Sequence, residues 1–277
     1  LISKSSRGQP NWLKLLREKN MNRFETLGFP TERKGNEEWK YTDVKNIATT
    51  DFLIPSKPTL TDAAEKRLSQ QGFGKHDFHQ LVFLNGFYSA ELSSEDLKIK
   101  GCIIGPLSQA WKSHAVRSSL GTLANSEDHA FTALNTAFAR DGAFIHIPAN
   151  TEIEKPINII FLTLQSQDKI ATHPRTLINV GKNSSAIILE THCSTEETEY
   201  LSNAVSEISL EDGSHLDHYR LQLHSKDAYH IGTTQVHLNR TSKFKSVSAD
   251  LGGKLIRNNL NVDVAGENAS CILNGLY

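Results

Sequence analysis

Residues 144–277 carry a degenerate repeat that limits the folds open to the chain more than any other feature. Apolar Val180, Leu210, Leu238 and Val264 each close a strand-like run, at spacings of 30, 28 and 26 residues. A short polar or Gly-bearing turn follows each one: Gly181-Lys182-Asn183, Glu211-Asp212-Gly213, Asn239-Arg240-Thr241 and Ala265-Gly266-Glu267. A new strand then begins. Leu260, Val262 and Val264 take one face of their run while Asn259, Asn261 and Asp263 take the other, the period of a half-buried strand. A unit of this length with two short strands suits a β-solenoid, in which each unit buries its face on its neighbour. An antiparallel sandwich with evenly spaced turns suits the same pattern. Periodicity leaves both open.

Upstream the period changes. Residues 11–27 place Trp12, Leu16, Phe24 and Leu27 near one helical face, with Gly28 and Pro30 as stops. Residues 60–71 repeat the pattern with Leu60, Ala64 and Leu68, and Gly72 lies past the end. Leu81 to Tyr88 reads as a hairpin around Asn85-Gly86, the pair that supplies positive φ to a type I′ turn. Further helices are expected at 106–117 and at 128–140, the second marked by Phe131, Leu134, Ala137 and Phe138. Ile157 to Leu164 is apolar on both faces, as in a strand covered on both sides. The segment 28–43 mixes charges with Trp39 and Tyr41, which read as aromatic anchors of a packed loop. The expected division is a mostly helical N-terminal region with one β-hairpin, residues 1–128, and a β core, residues 129–277.

Composition works by exclusion. A net charge of −1 offers no basic excess for general nucleic-acid binding. No apolar run approaches the roughly 20 residues of a membrane helix. The first residues lack the apolar core of a secretory signal. Cys102, Cys193 and Cys271 are scattered without paired spacing, as expected of reduced thiols in a cytoplasmic protein. The Asn-x-Ser/Thr sequons at Asn183, Asn239 and Asn268 are then chance matches. The chain begins at Leu1 and ends at Tyr277 inside a strand-like pattern. It is therefore expected to be cut off before its last turns, with possible self-association through an uncovered last rung.

Few residues suggest chemistry. Gly181-Lys182-Asn183-Ser184 has the look of the end of a P-loop, but Thr176 stands where the upstream glycine is required. There is no Gly-x-Ser-x-Gly elbow and no dinucleotide-binding glycine pattern. Histidine is the one enriched reactive type, with 12 copies. His215 and His218 point to opposite faces of a strand, as do the adjacent His192 and Cys193. His76 and His79 share a face only in a helix, yet they border a strand. His192, His218 and His237 are expected at solvent-facing strand positions. No local metal site follows from these spacings, although ligands drawn from distant rungs or from a second chain stay open. Glu190, Asp217 and Arg220 form the basis of the alternative reading, a β-helix carbohydrate-active enzyme, though no close carboxylate pair stands out. No catalytic, cofactor-binding or metal-ligating residue is assigned.

Resemblance adds to this. Gly28-Phe29-Pro30-Thr31 through Glu38-Trp39-Lys40-Tyr41-Thr42 resembles the N-terminal signature of the SufD branch of the SufB/SufD family of iron–sulfur cluster assembly proteins. Three more stretches resemble the wider family, in family order: Leu134-Asn135-Thr136-Ala137-Phe138 through Asp141-Gly142 to Ile145-His146-Ile147-Pro148; Gly252-Gly253-Lys254 with Arg257; and Gly266-Glu267-Asn268-Ala269 running to Tyr277. The resemblance implies an α+β, mainly β chain: a mostly helical N-terminal region before a right-handed parallel β-helix. It implies a non-enzymatic scaffold subunit of the SUF complex. The partners implied are a SufB-like paralogue, met through the end of the β-helix, and the ABC-type ATPase SufC, met through a C-terminal helical domain beyond Tyr277. It implies no cofactor on this chain alone, the whole complex handling a nascent iron–sulfur cluster. The family's interface histidine lies in the later region, and none of the histidines here aligns with it.

Overall fold

A computed structural model describes residues 9–31, 36–70, 77–195 and 198–277. In it Val180 pairs with Leu210, Leu210 with Leu238 and Leu238 with Val264, all in parallel register. The four residues that close the repeats therefore form one vertical column. Parallel stacking of identical turns makes the core a β-solenoid, a parallel β-helix, and rules out the antiparallel sandwich.

In chain order the elements are α1 (Asn11–Leu27), α2 (Lys45–Thr49), α3 (Asp62–Gln70), β1 (His79–Leu84), β2 (Phe87–Tyr88), β3 (Ile103–Pro106), α4 (Leu107–Ala110), α5 (His114–Ser119) and α6 (Ala130–Phe138). The strands continue with β4 (Gly142–Ile147), β5 (Ile157–Thr163), β6 (Ile170–Thr172), β7 (Arg175–Val180), β8 (Ser185–Ser194) and β9 (Tyr200–Leu210). They end with β10 (His215–Leu223), β11 (Tyr229–Leu238), β12 (Lys243–Asp250), β13 (Leu255–Val264) and β14 (Ser270–Leu276). The chain alternates between two sheets. One runs β14-β12-β10-β8-β5-β1-β2 and the other β13-β11-β9-β7-β4-β3. β2 and β3 are antiparallel at their edges, and the pairings between core strands are parallel.

The turns repeat as faithfully as the strands. Asn150, Asn183, Gly213, Thr241 and Asn268 all have positive φ, between 56° and 68°. The amide of each rung's turn residue donates to the next rung: Asn150 to Lys182, Asn183 to Asp212, Gly213 to Arg240 and Thr241 to Glu267. Ser184, Ser214 and Ser242 follow the turn residues and are buried. Ser214 Oγ donates to Glu211 O and Ser242 Oγ to Asn239 O, both at 2.6 Å, satisfying carbonyls where the sheet cannot.

Inside, Leu81, Ile145, Ile147, Ile159, Ile178, Ile188, Ile208, Leu216, Val236 and Phe244 form the lumen core. Outside, α3 covers one sheet with Ala64 and Leu68 against Val82, Ile160 and Leu162. β5 is thus buried on both faces, as its continuous apolar run requires. The other sheet is covered by Leu13, Leu107, Trp111 and Val116, packed on Phe144 and Leu177. Beside them Phe131 and Leu134 of α6 pack on Leu201, Tyr229 and Ile231.

Several expectations need correction. The helical region expected over 106–117 is present as two short helices, because Ser113 is extended (φ −69°, ψ 137°) at the start of α5. Tyr41 anchors nothing: it is 90% exposed. Of the two aromatics, Trp39 is the one that pins the segment, stacked at 5.3 Å on Phe131. Gly72 and His76 lie outside the described residues.

Candidate functional site in the β-helix lumen

The lumen changes character along the solenoid. One inward column reads Leu81, Ile159, Glu190, Arg220, Ser248, and its neighbour reads Phe83, Phe161, His192, Gln222, Asp250. Apolar side chains give way to polar ones at β8. The parity of the strands demands this placement. Ala186 and Ile188 point inward, so Glu190 and His192 do too, and Leu216 carries His218, Arg220 and Gln222 with it. His192 and His218 are therefore buried, at 1% and 2% exposure, where solvent-facing positions were expected. The sequence signal was available in the run from Ala186 onward. His237 does reach the outer surface and pairs with Asp263 at 2.8 Å.

Two neighbouring rungs bring His192, on β8, together with His224 and His230, at the turn from β10 into β11. One ring nitrogen from each lies within 4.8 Å of the other two, and all three residues are buried. His224 Nε2 and His230 Nδ1 are 2.9 Å apart. The far side of each ring is held. His192 Nε2 donates to Glu190 Oε1 at 2.9 Å. His224 Nδ1 meets the Tyr200 hydroxyl at 2.5 Å. His230 hydrogen-bonds Asn258, which accepts from Arg220 at 2.6 Å and donates to Asp250 at 3.0 Å. His192 Nδ1 has no partner among the described residues.

Burial sets the charges here. It drives His224 and His230 well below the usual histidine range, helped by the neighbouring histidines and by Arg220. Both rings are neutral near pH 7, and across the 2.9 Å contact one ring's N–H donates to the other's lone pair. Burial alone pushes Glu190 up. The hydrogen bond with His192 and the His218 ring 3.5 Å away outweigh it and hold the carboxyl below its usual range, with Ser206 Oγ donating at 3.1 Å.

Two glycines leave room. A methyl on Gly232 would stand 2.2 Å from Asn258 Oδ1 and 2.9 Å from His230 Nε2. Gly252 has φ +106°, and a methyl there would stand 2.4 Å from the His224 carbonyl.

Of the residues considered for an enzyme, Glu190 and Arg220 enter the lumen. Asp217 faces outward and pairs with His215 at 3.1 Å. The set is not assembled around one space. His79 is buried and its Nδ1 bonds Asp96 O at 2.9 Å. Cys193 is buried on the opposite side of its strand, under α3. Cys102 and Cys271 pack against the lumen core, and none of the three cysteines is in a disulfide. Among the described residues no helix is long and apolar enough to cross a membrane.

A second polar centre was not foreseen. Arg175 and Glu207, both fully buried, form an ion pair on the outer face of the second sheet. Glu207 also accepts from the amides of Gly121, Leu123 and Ala124 at 2.8 to 3.0 Å. Arg175 donates to Asn135 Oδ1 and Thr136 Oγ1 on α6. The centre bonds helix, loop and sheet together.

Comparison with known proteins agrees with this architecture. Residues 3–159 match the SufBD protein N-terminal region. Residues 162–277 match the SufBD core domain of SUF system FeS cluster assembly. An iron-sulfur cluster assembly SufBD family protein of Synechocystis sp. is 34% identical over 82% of this chain and 51% of its own length. One from Staphylococcus saprophyticus is 22% identical over 94% of this chain and 57% of its own. The iron-sulfur cluster assembly protein SufD of Bacillus subtilis is 25% identical over 74% and 47%. The chain thus spans about half the length of these curated relatives. With both family segments matched end to end on a parallel β-helix, the chain belongs to the SufB/SufD family of iron–sulfur cluster assembly proteins.

Proposed function

We propose that the chain is part of a SufD-type scaffold subunit of the SUF complex, one that positions partners and performs no turnover of its own. The supporting observation is the joint between the two family segments. Arg257, from the core segment, lies 4.1 Å above the Trp39 ring of the N-terminal signature and donates to Glu38 O at 2.7 Å and Thr42 Oγ1 at 3.0 Å. That joint ties the two segments together, as a scaffold requires. In this reading a SufB-like paralogue pairs with the β-helix. A SufC-like ATPase docks on the C-terminal helical domain implied by the family resemblance and supplies the energy. The nascent cluster belongs to the assembled complex, and the compartment is the cytoplasm.

Co-expression of the whole polypeptide with its SufB and SufC homologues tests this. The expected result is one co-eluting complex in which the ATPase activity resides in SufC. Elution of the polypeptide alone, with SufB and SufC complexed to each other, would overturn it.

A further inference from the structure

We propose that His192, His224 and His230 form a binding site for one first-row divalent transition ion inside the β-helix. The inference goes beyond the scaffold reading and does not depend on any partner.

The donor set selects the ligand class. Three imidazoles suit zinc, iron, cobalt or nickel in the divalent state, and they disfavour calcium and magnesium, which take oxygen. A tetrahedral ion with bonds of about 2.0–2.1 Å needs ligand nitrogens roughly 3.3 Å apart. The three nitrogens already lie within 4.8 Å of one another. Small ring rotations close the remainder.

The surroundings are those of a metal site. A ligating histidine usually offers its second nitrogen to a carboxylate or other oxygen, which fixes the tautomer and raises basicity. Glu190 does this for His192, Tyr200 for His224 and Asn258 for His230. With the far nitrogens engaged, His224 Nε2 and His230 Nδ1 face each other and His192 keeps Nδ1 for a ligand. That His192 nitrogen has no partner among the described residues. A buried unpaired nitrogen of that kind is destabilising, and an ion would satisfy it. The nearby cation is already neutralised: Arg220 meets Asp250 at 3.3 Å. Among the described residues no fourth His, Cys, Asp or Glu joins the group. A bound ion would keep one exchangeable position, as in zinc sites that hand over or activate a ligand.

The sequence reading assigned no metal ligand, because no two of these histidines are at ligand spacing within one element. They meet only because β8, β11 and the connection from β10 to β11 wind past one space.

The test uses the whole polypeptide that carries residues 1–277, prepared metal-free and titrated anaerobically with Co2+, and in parallel with Zn2+ and Fe2+. One equivalent is expected, with the strong visible bands of four-coordinate Co2+. His224→Ala is expected to abolish them and Glu190→Gln to weaken binding 10- to 100-fold. The surface variant His237→Gln is expected to bind like the wild type. Circular dichroism checks that each variant folds. Imidazole nitrogen shifts of the wild type on adding Zn2+ need no variant, and are expected at these three rings. The site is refuted if the wild type gives no four-coordinate signal, if binding persists in folded His224→Ala, or if the shifts fall on other histidines.

Discussion

Arg257 sits over Trp39, with its guanidinium carbon 4.1 Å from the ring centroid. The contact joins residues more than 200 positions apart and closes the loop of segment 36–42 over β13. Trp39 passes the contact inward by stacking on Phe131 at 5.3 Å. A cation over an indole contributes about 0.5–2 kcal/mol, and the two hydrogen bonds add to it. Arg257→Ala is expected to destabilise the fold by about 1–3 kcal/mol in urea unfolding. Arg257→Lys keeps the charge but not the planar fork, and should recover under half of the loss. A double-mutant cycle with Trp39→Leu should give a coupling near 1 kcal/mol, and a coupling of zero would show that the two merely sit side by side.

Glu207 is the hub of the second buried centre. It serves Arg175 and three amides of the segment after α5. Removing one partner of a buried pair strands the other charge, at a cost of about 3–5 kcal/mol. Glu207→Ala is expected to lose that much stability. Hydrogen exchange at Gly121, Leu123 and Ala124 should speed up before global unfolding does. Unchanged exchange at those amides would show that the carboxylate does not hold the loop.

The repeat was legible because a solenoid writes its register into the sequence: Val180, Leu210, Leu238 and Val264 end strands and stack directly. The hairpin at Asn85-Gly86 was legible because both turn residues need positive φ, 48° and 80°. The lumen was legible in principle. Alternation carries inward from Ile188 to Glu190 and His192, but histidine and glutamate suggest solvent when each is judged by type alone. The histidine cluster was not legible by spacing, since His224 and His230 flank the bend between β10 and β11 and His192 comes from the turn before. Arg175 and Glu207 gave no warning either: they sit on neighbouring strands, and their partners Asn135 and Gly121 come from outside the repeat. Tyr41 misled for a simpler reason, because an aromatic among charges can stand in water, as it does here.

Acid is expected to destabilise the protein from near pH 6.5 downward. Burial first, and the charge of Arg140 second, push His173 down to about 3 from an ordinary 6.5. The unfolded chain takes up this proton near pH 6.5, and the folded chain does not until about 3. Stability is therefore full above that window and falls as pH drops through it. His224 and His230 act in the same direction. Each contributes a limiting slope of about 1.4 kcal/mol per pH unit. Unfolding free energies measured from about pH 6.5 to 5, above most carboxylate titrations, should show the fall. His173→Gln should flatten it by about one histidine's share. A flat profile in the wild type would mean that these rings are protonated in the folded state.

The turn column offers a stabilising change. Thr241 occupies the position held elsewhere by Asn150, Asn183, Gly213 and Asn268, with φ 57°. A β-branched residue is strained there, at about 1–2 kcal/mol, while asparagine tolerates that backbone and can bond locally. The Thr241 hydroxyl reaches only the Arg240 carbonyl, at 2.7 Å on the surface, so little is lost by removing it. Thr241→Asn is expected to raise stability by about 0.5–1 kcal/mol, read as a higher urea midpoint with unchanged slope. Thr241→Val keeps the branching and removes the hydroxyl, and should be no better than the wild type. If the asparagine variant were less stable, the strain would not lie in the backbone at 241, and the turn column would owe its order to the serines that follow it.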